Sequence, residues 1–296
     1  MSLVELFCDV DDFWQRFEPM WKQRLLASGT RQRWRKTELS ESEIMTILIH
    51  FHECDFRHFK AYYAYVRQHL RSEFPNLVSY ERFVVLQKRV GIALYVYLNL
   101  CLGECTGVSF VDSTSLPVCH NRRIHAHRVF QDLAGRGQTS VGWFYGFKLH
   151  LVVNEWGELI AFDLTAGNVH DIHMLGQLDD TFWGKLIGDK GYLSQPKTVS
   201  LAQRGIALVT SIRRNMKQLI MTLEDSILLR KRAIVESVNN LLKNWAQIDH
   251  TRHRSPDNFF VNLMAGLIAY CWKPDKPSMR LDAQENMLLN HHPSLA

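Results

Sequence analysis

The sequence predicts an α/β protein in which a helical N-terminal third leads into a mixed five-stranded sheet flanked by helices. Three observations carry this expectation. Apolar residues recur at helical spacing up to about residue 105. Beyond it come three strand-like runs in succession, then two more separated by helical segments. Finally, the apolar run Val108-Ser109-Phe110-Val111 runs into Asp112, and a charge in a central strand is costly unless it is paired or bound to a metal. The expected division is a helical domain at 1–105, a sheet domain at 106–275 and a C-terminal tail at 276–296.

A chain of 296 residues fits one larger and one smaller domain, and 46% hydrophobic with 22% charged residues describes a globular protein. The apolar runs 90–102 and 259–272 are too short to span a bilayer, so no membrane partner is expected. The opening Met1-Ser2-Leu3-Val4-Glu5 has an acid where a leader would be basic, which predicts a cytoplasmic protein. Six scattered cysteines suggest no disulfide framework. Cys101, Cys105, Cys119 and His120 invite a zinc reading, but Cys101 and Cys105 continue an apolar helix face and no CxxC pair exists. Between Arg204 and Arg254 stand ten Lys and Arg against four acids, an excess larger than the whole chain's net charge of +5. Such a concentrated basic segment suits a polyanion, or else forms a solvated charged face.

In the N-terminal third, Ser40 followed by Glu43 forms a capping box that opens a helix to Glu53. A second helix is expected over 57–71 and a third, long one over 80–102. Short helices with basic outer faces fit a helix-turn-helix-like, DNA-end-binding module, or an ordinary supporting bundle. Tyr62, Tyr63 and Tyr65 are expected to be core residues.

The strand from Val108 gives way at Pro117 to a basic, glycine-containing stretch, 121–139, with Arg122, Arg123, Arg128 and Arg136. Over 144–153, Phe147, Leu149 and Leu151 alternate with Lys148 and His150, and a turn at 154–157 returns the chain along 158–164. A helix over 171–182, a strand over 185–188 ending at Asp189, a helix over 196–204 and a strand over 206–212 follow. Helices over 228–245 and 259–272 close the series. This order matches a ribonuclease-H-like fold: three antiparallel strands, then parallel ones added through crossovers. It brings Asp112 and Asp189 side by side if their strands are neighbours. Repulsion between the two carboxylates then requires a proton or a cation, and oxygen ligands of this kind suit Mg²⁺. On the helix over 228–245, Arg232, Glu236, Asn239/Asn240 and Lys243 form one polar stripe among apolar positions. It either carries a third carboxylate to the metal or is a solvent-exposed ion-paired face.

These residues resemble the signature of DDE transposases of bacterial insertion sequences. The likeness runs from Val108 to Trp272 through Val-Asp-Ser-Thr (111–114), Gly-Trp-Phe-Tyr-Gly-Phe-Lys-Leu-His (142–150), Gly-Asn-Val-His-Asp (167–171), Gly-Asp-Lys-Gly-Tyr (188–192) and the Arg-x3-Glu-x6-Lys spacing of Arg232, Glu236 and Lys243. The group called IS nine-eighty-two is the most similar, through Arg-His-Arg-Ser (252–255) and the following Asn258-Phe259. A related group carries Tyr three residues before the Arg, where this chain has Leu229.

The resemblance implies a ribonuclease-H-like fold and Asp112, Asp189 and Glu236 as the catalytic and metal-binding acids. The metal would be Mg²⁺, as two ions, with Mn²⁺ able to substitute. Arg232 and Lys243 would lie on phosphates near the scissile bond. Lys148, Lys190, Arg122 and Arg123 are further candidates for DNA contact, Tyr192 another for a phosphate, and Asp171 is a reserve fourth acid. His120, His125 and His127 read as loop histidines. The implied partners are DNA, as terminal inverted repeats and target, and a second copy of the chain in the DNA complex. The implied place is the bacterial cytoplasm, on the nucleoid. Two other functions stay open: a nuclease of the same fold that cuts without joining, and a catalytically silent DNA-binding repressor. Three carboxylates close to phosphates argue against the second.

Overall fold

The computed structural model describes residues 2–29, 37–140, 142–211, 221–249 and 253–290. Ile212, expected to end a strand, lies outside them, as do Arg213, Arg214, Lys217 and Arg252 of the basic segment. The chain forms two compact units, Met1–Cys101 with Leu242–Lys273, and Leu102–Leu241 with Pro274–Ala296.

The first unit is helical. Its helices are α1 (Leu3–Ala27), α2 (Glu41–Glu53), α3 (Phe59–His69), α4 (Tyr80–Leu86) and α5 (Gly91–Cys101). The Ser40–Glu43 box caps α2 as expected, and Ser2 with Glu5 caps α1 in the same way. The single helix expected over 80–102 is interrupted by a 3-10 turn, Gln87–Val90, in which Arg89 pairs with the mostly buried Glu41 at 2.5 Å. By length and composition the whole run Tyr80–Cys101 is apolar enough to cross a membrane. Its Phe83, Leu86, Val90, Leu94 and Tyr97 are nevertheless buried in this unit, as in the core helix of a bundle.

The helix over Pro256–Trp272, expected within the sheet domain, packs here against α2 and α5. It is apolar all round, with ten consecutive positions from Val261 to Tyr270 of which only Asn262 is not buried, and such a helix needs a core on every side. The helical unit therefore takes in 242–273, and the expected boundary at 275 does not hold.

The second unit is built on a six-stranded mixed sheet. Its strands are β1 (Val108–Cys119), β2 (Gly135–Thr139), β3 (Gly142–Asn154), β4 (Leu159–Ala166), β5 (Gly184–Gly188) and β6 (Ile206–Thr210). β1 runs antiparallel to β3 from Ser109↔Asn154 onward and parallel to β5, which is parallel to β6. The long β3 pairs with β2 through its first residues and with β4 through the rest, so these two share one side of it end to end. This is the ribonuclease-H-like arrangement with one strand more than the five expected. The extra strand, β2, falls in the basic, glycine-containing stretch 121–139, where no strand was expected. Its Gly-Arg-Gly-Gln-Thr sequence holds a single strand former, Thr139, and Gly137 is set by close approach: a Cβ there would collide with the Gly167 carbonyl and the Phe144 ring.

One face of the sheet buries Val111, Val152, Leu186 and Ile206 beneath Met174, Leu175 and Leu201. Leu201 lies on α6 (Gln195–Ala202). Met174 and Leu175 lie on a 3-10 turn, Asp171–Gly176, which stands where a helix to 182 was expected. Beyond Gly176 the chain turns on Asp179, whose carboxylate accepts from the Thr181 N–H, and Arg204 bonds the Leu178 carbonyl at 2.8 Å.

α7 (Leu223–Lys231) and α8 (Ala233–Asn244) replace the single helix expected over 228–245. The break falls at Arg232, where both the N–H of Arg232 and that of Val235 bond three residues back. A last helix, α10, Ala283–Asn290, lies in the segment expected to be a tail, where Lys231 pairs with Glu285 at 2.6 Å; with α10 numbered, Pro256–Trp272 is α9.

Gly146 gives a direct test of the β1–β3 packing. A Cβ at this position would strike the backbone carbonyl of Leu116 on β1, and backbone cannot step aside as a flexible side chain can. Gly146→Ala is expected to cost about 2–4 kcal/mol in urea unfolding, a core-overpacking effect. A cost below about 0.5 kcal/mol would show that the two strands part easily.

Candidate active site

The site is assembled where the parallel pairing of β1 with β5 ends: Asp112 lies within β1, and Asp189 directly follows β5. Phe110 of β1 pairs with Ile187 of β5, and Asp112 and Asp189 each stand two residues beyond that pair. Strand parity therefore places both acids on one face. Asp189 starts a tight turn: its Oδ1 accepts the Gly191 N–H at 2.7 Å, which fixes the carboxylate against its own backbone.

Glu236 arrives from α8. Ile234, Val235 and Val238 of that helix are buried, whereas Glu236 is about half exposed, 55%. From the same helix Asn239 donates through Nδ2 to Asp112 Oδ2 at 3.0 Å. Arg232, at the α7–α8 break, lies between two of the acids: Nη2 is 2.6 Å from Glu236 Oε1 and Nη1 is 3.8 Å from Asp112 Oδ1.

Burial pushes the Asp112 carboxyl up from 3.8 to about 6. The Arg232 guanidinium and the Ser113 N–H oppose this, and the charges of Asp189 and Glu236 add to it. Asp112 thus senses the charge of both other acids. A family model described as Transposase DDE domain matches residues 102–256, more than half of the chain and the whole of this site.

The chain belongs to the DDE transposase family. A search of curated proteins found no match. Family membership makes it a DNA transposase, with nuclease and strand-transposition chemistry and DNA as the implied partner. DDE transposases generally use divalent metal ions. In this transposase the donor chemistry agrees: Asp112, Asp189 and Glu236 offer only carboxylate oxygens, each with more acceptor capacity than its present partners use, as a hard cation requires. Among the described residues, however, no three His, Cys, Asp or Glu stand together as a ready-made metal cage. The guanidinium of Arg232 places a positive charge between Asp112 and Glu236.

The other sequence candidates divide. Arg122 and Arg123, on a 3-10 turn over Asn121–Ala126, are exposed, as is Lys190. Nearby, Arg136 stacks 4.9 Å from the centre of the half-exposed Trp143 ring, giving this surface a basic and aromatic character. Lys148 does not present itself to DNA. Its Nζ is bound to Asp171 Oδ1 and to the Val169 carbonyl, both at 3.0 Å, and its side chain is 15% exposed.

His150, on the same side of β3, is fully buried, with Nε2 on Thr165 Oγ1 at 2.8 Å, and burial holds its pKa below 6.5. Asp171 also accepts from Ser113 Oγ at 2.8 Å. Parity puts Ser113 on the opposite face of β1 from Asp112, so Asp171 belongs to an internal polar cluster and not to the acid site. Tyr192 is likewise buried in the core beside Gly188 and Val111 and is not available to a phosphate. Lys243 lies in the helical unit, partly buried, with its pKa lowered by burial and raised in part by Asp249. What the sequence left unresolved was Asn239 against Asn240. The contact belongs to Asn239, three residues after Glu236 and so on its face of the helix.

Proposed function

We propose that this transposase mobilises a bacterial insertion sequence, most similar to the IS nine-eighty-two group, by binding its terminal inverted repeats, cutting to a 3′ hydroxyl and joining that end to target DNA. What supports this best is Asp112 lying within electrostatic reach of both Asp189 and Glu236, with Arg232 between Asp112 and Glu236. Asp112, Asp189 and Glu236 would hold Mg²⁺, as two ions, or Mn²⁺ in its place. Metal bound there supplies activation of the attacking oxygen and charge for the leaving oxygen of an in-line displacement.

The chain's own part is positional. Asp112 is held by β1 and by Asn239, Asp189 by its turn, and Glu236 by the helix, so each carboxylate is aimed before DNA arrives. Arg232 would serve as a counter-charge that, as phosphate approaches, exchanges the carboxylates for a bidentate phosphate contact. Lys243 would contact phosphate from the helical unit. Lys190, Arg122 and Arg123 would follow the DNA backbone outside the site, with affinity that falls steeply with salt. Two element ends must meet, so a dimer on DNA, in the bacterial cytoplasm on the nucleoid, completes the reading.

Labelled duplexes carrying the element's own ends, incubated with Mg²⁺ or Mn²⁺ and a target plasmid, test it. Metal-dependent nicks and joined products are expected together. Nicks without joining would favour a nuclease, and binding with neither would favour a repressor.

A further inference from the structure

We infer that Asn239 is a positioning residue that fixes the Asp112 carboxylate for metal, an inference resting on the reading of Asp112 as a metal ligand. Asn239 is 7% exposed, and its Nδ2 donates to Asp112 Oδ2 at 3.0 Å. A carboxylate only accepts, so the amide must turn its nitrogen toward Asp112. Its Oδ1 is then directed into the interior, where it is buried and finds no protein donor. An unsatisfied buried carbonyl typically costs about 1–3 kcal/mol, so packing alone would favour an apolar side chain of the same size. The donor to Asp112 is what explains an asparagine here.

The cation near Asp112 cannot do this work alone. Arg232 stands at 3.8 Å from Asp112 and at 2.6 Å from Glu236, so its stronger commitment is to Glu236. Asn239 is neutral, rooted three residues along α8 from Glu236, and holds Asp112 without competing for a cation's charge. When Arg232 turns toward phosphate, Asn239 still restricts rotation of the carboxylate and leaves the Oδ1 edge of Asp112 open. Hydrogen bonds of this kind to a ligating carboxylate typically change metal affinity by about 10–100-fold.

The test uses the full-length protein, with free Mn²⁺ followed by electron paramagnetic resonance and cleavage of end-bearing DNA measured across metal concentration. Asn239→Leu keeps the volume and removes the donor. Its Mn²⁺ affinity is expected to fall about 10–100-fold, with an unchanged or higher melting temperature. Half-maximal cleavage should need correspondingly more metal, and most of the rate should return at saturation. A purely structural role would instead lower the rate at every metal concentration, and that result would overturn the inference. So would unchanged Mn²⁺ affinity. Should the leucine variant unfold, Asn239→Ala is measured in the same two ways, and the same outcomes decide. Asp112→Asn runs alongside. If it leaves Mn²⁺ affinity intact, the metal reading of the site fails and takes this inference with it. If it abolishes binding while Asn239→Leu changes nothing, only the inference about Asn239 falls.

Discussion

Asp112→Asn is expected to abolish strand cleavage and, in the metal-free protein, to raise stability above pH 6. The loss of activity should exceed the roughly 10–100-fold typical of residues that merely support a ligand, because the substitution removes a carboxylate from the proposed metal itself. Stability should move the other way. Folding raises the carboxyl from 3.8 to about 6, mainly by burial. The folded chain therefore binds the proton more tightly than the unfolded one. The associated stability is fully present below about pH 3.8 and is lost as pH rises through about 6.

Two units correspond to about 3 kcal/mol in order of magnitude, a figure already net of the attraction of Arg232 for the carboxylate. Urea unfolding in chelator at pH 4 and pH 8 reads the difference: Asp112→Asn should gain on the wild type only at pH 8. A variant less stable than wild type at both values would show that the carboxylate is a net structural asset. Asp189→Asn should also lose cleavage, yet an amide oxygen there can still accept from Gly191, so its turn should persist.

The parts of this arrangement that were legible in the sequence are those written in local pattern. The Ser40–Glu43 box announces its helix because both partners lie within one turn. The two aspartates could be paired from strand order, since a parallel crossover leaves few places for the second strand. Alternation along β3 correctly put Lys148 and His150 on one side, but parity does not say which side another segment covers. Here the 3-10 turn at Asp171 covers it, and a face that looked open to DNA is internal.

The all-round apolar helix over 256–272 reads equally well as core of either unit, because periodicity gives burial and not the partner. β2 escaped notice for the opposite reason. Its glycines are chosen by the backbone and ring that crowd them, which no window of sequence displays. The helix break at Arg232 has no proline or glycine to mark it, although it sets the guanidinium between two acids.

Acidification should act on the helical unit in the opposite sense to its effect on Asp112. His52 is 3% exposed, and its Nδ1 bonds the Ala246 carbonyl at 2.6 Å, which assigns the proton to Nδ1 of a neutral ring. Burial lowers His52 from 6.5 to about 4, partly offset by bonds to the Ala246 and Asn262 carbonyls. Burial also lowers His253 to about 4, and its ring lies edge-on to Phe259. Neither ring has a carboxylate among the groups that set its shift, so neither gains a counter-charge on protonation.

The unfolded chain takes up both protons near pH 6.5 while the folded unit resists until about 4. Stability is therefore full above 6.5 and drains away as pH falls through that window. Each histidine contributes about 3 kcal/mol in order of magnitude, enough together to unfold a domain of ordinary stability. Helical circular dichroism in moderate urea should collapse between pH 6.5 and 4, and His253→Gln should move the midpoint to lower pH by removing one of the two protonations. His52→Gln is the harsher variant, since an amide must replace the ring's bond across the core. An acid midpoint unmoved by His253→Gln would assign the acid sensitivity to His52 alone. Stability that stayed flat from pH 7 to 4 would mean that both rings take their protons in the folded state, and that the core around them opens to water far more readily than its packing implies.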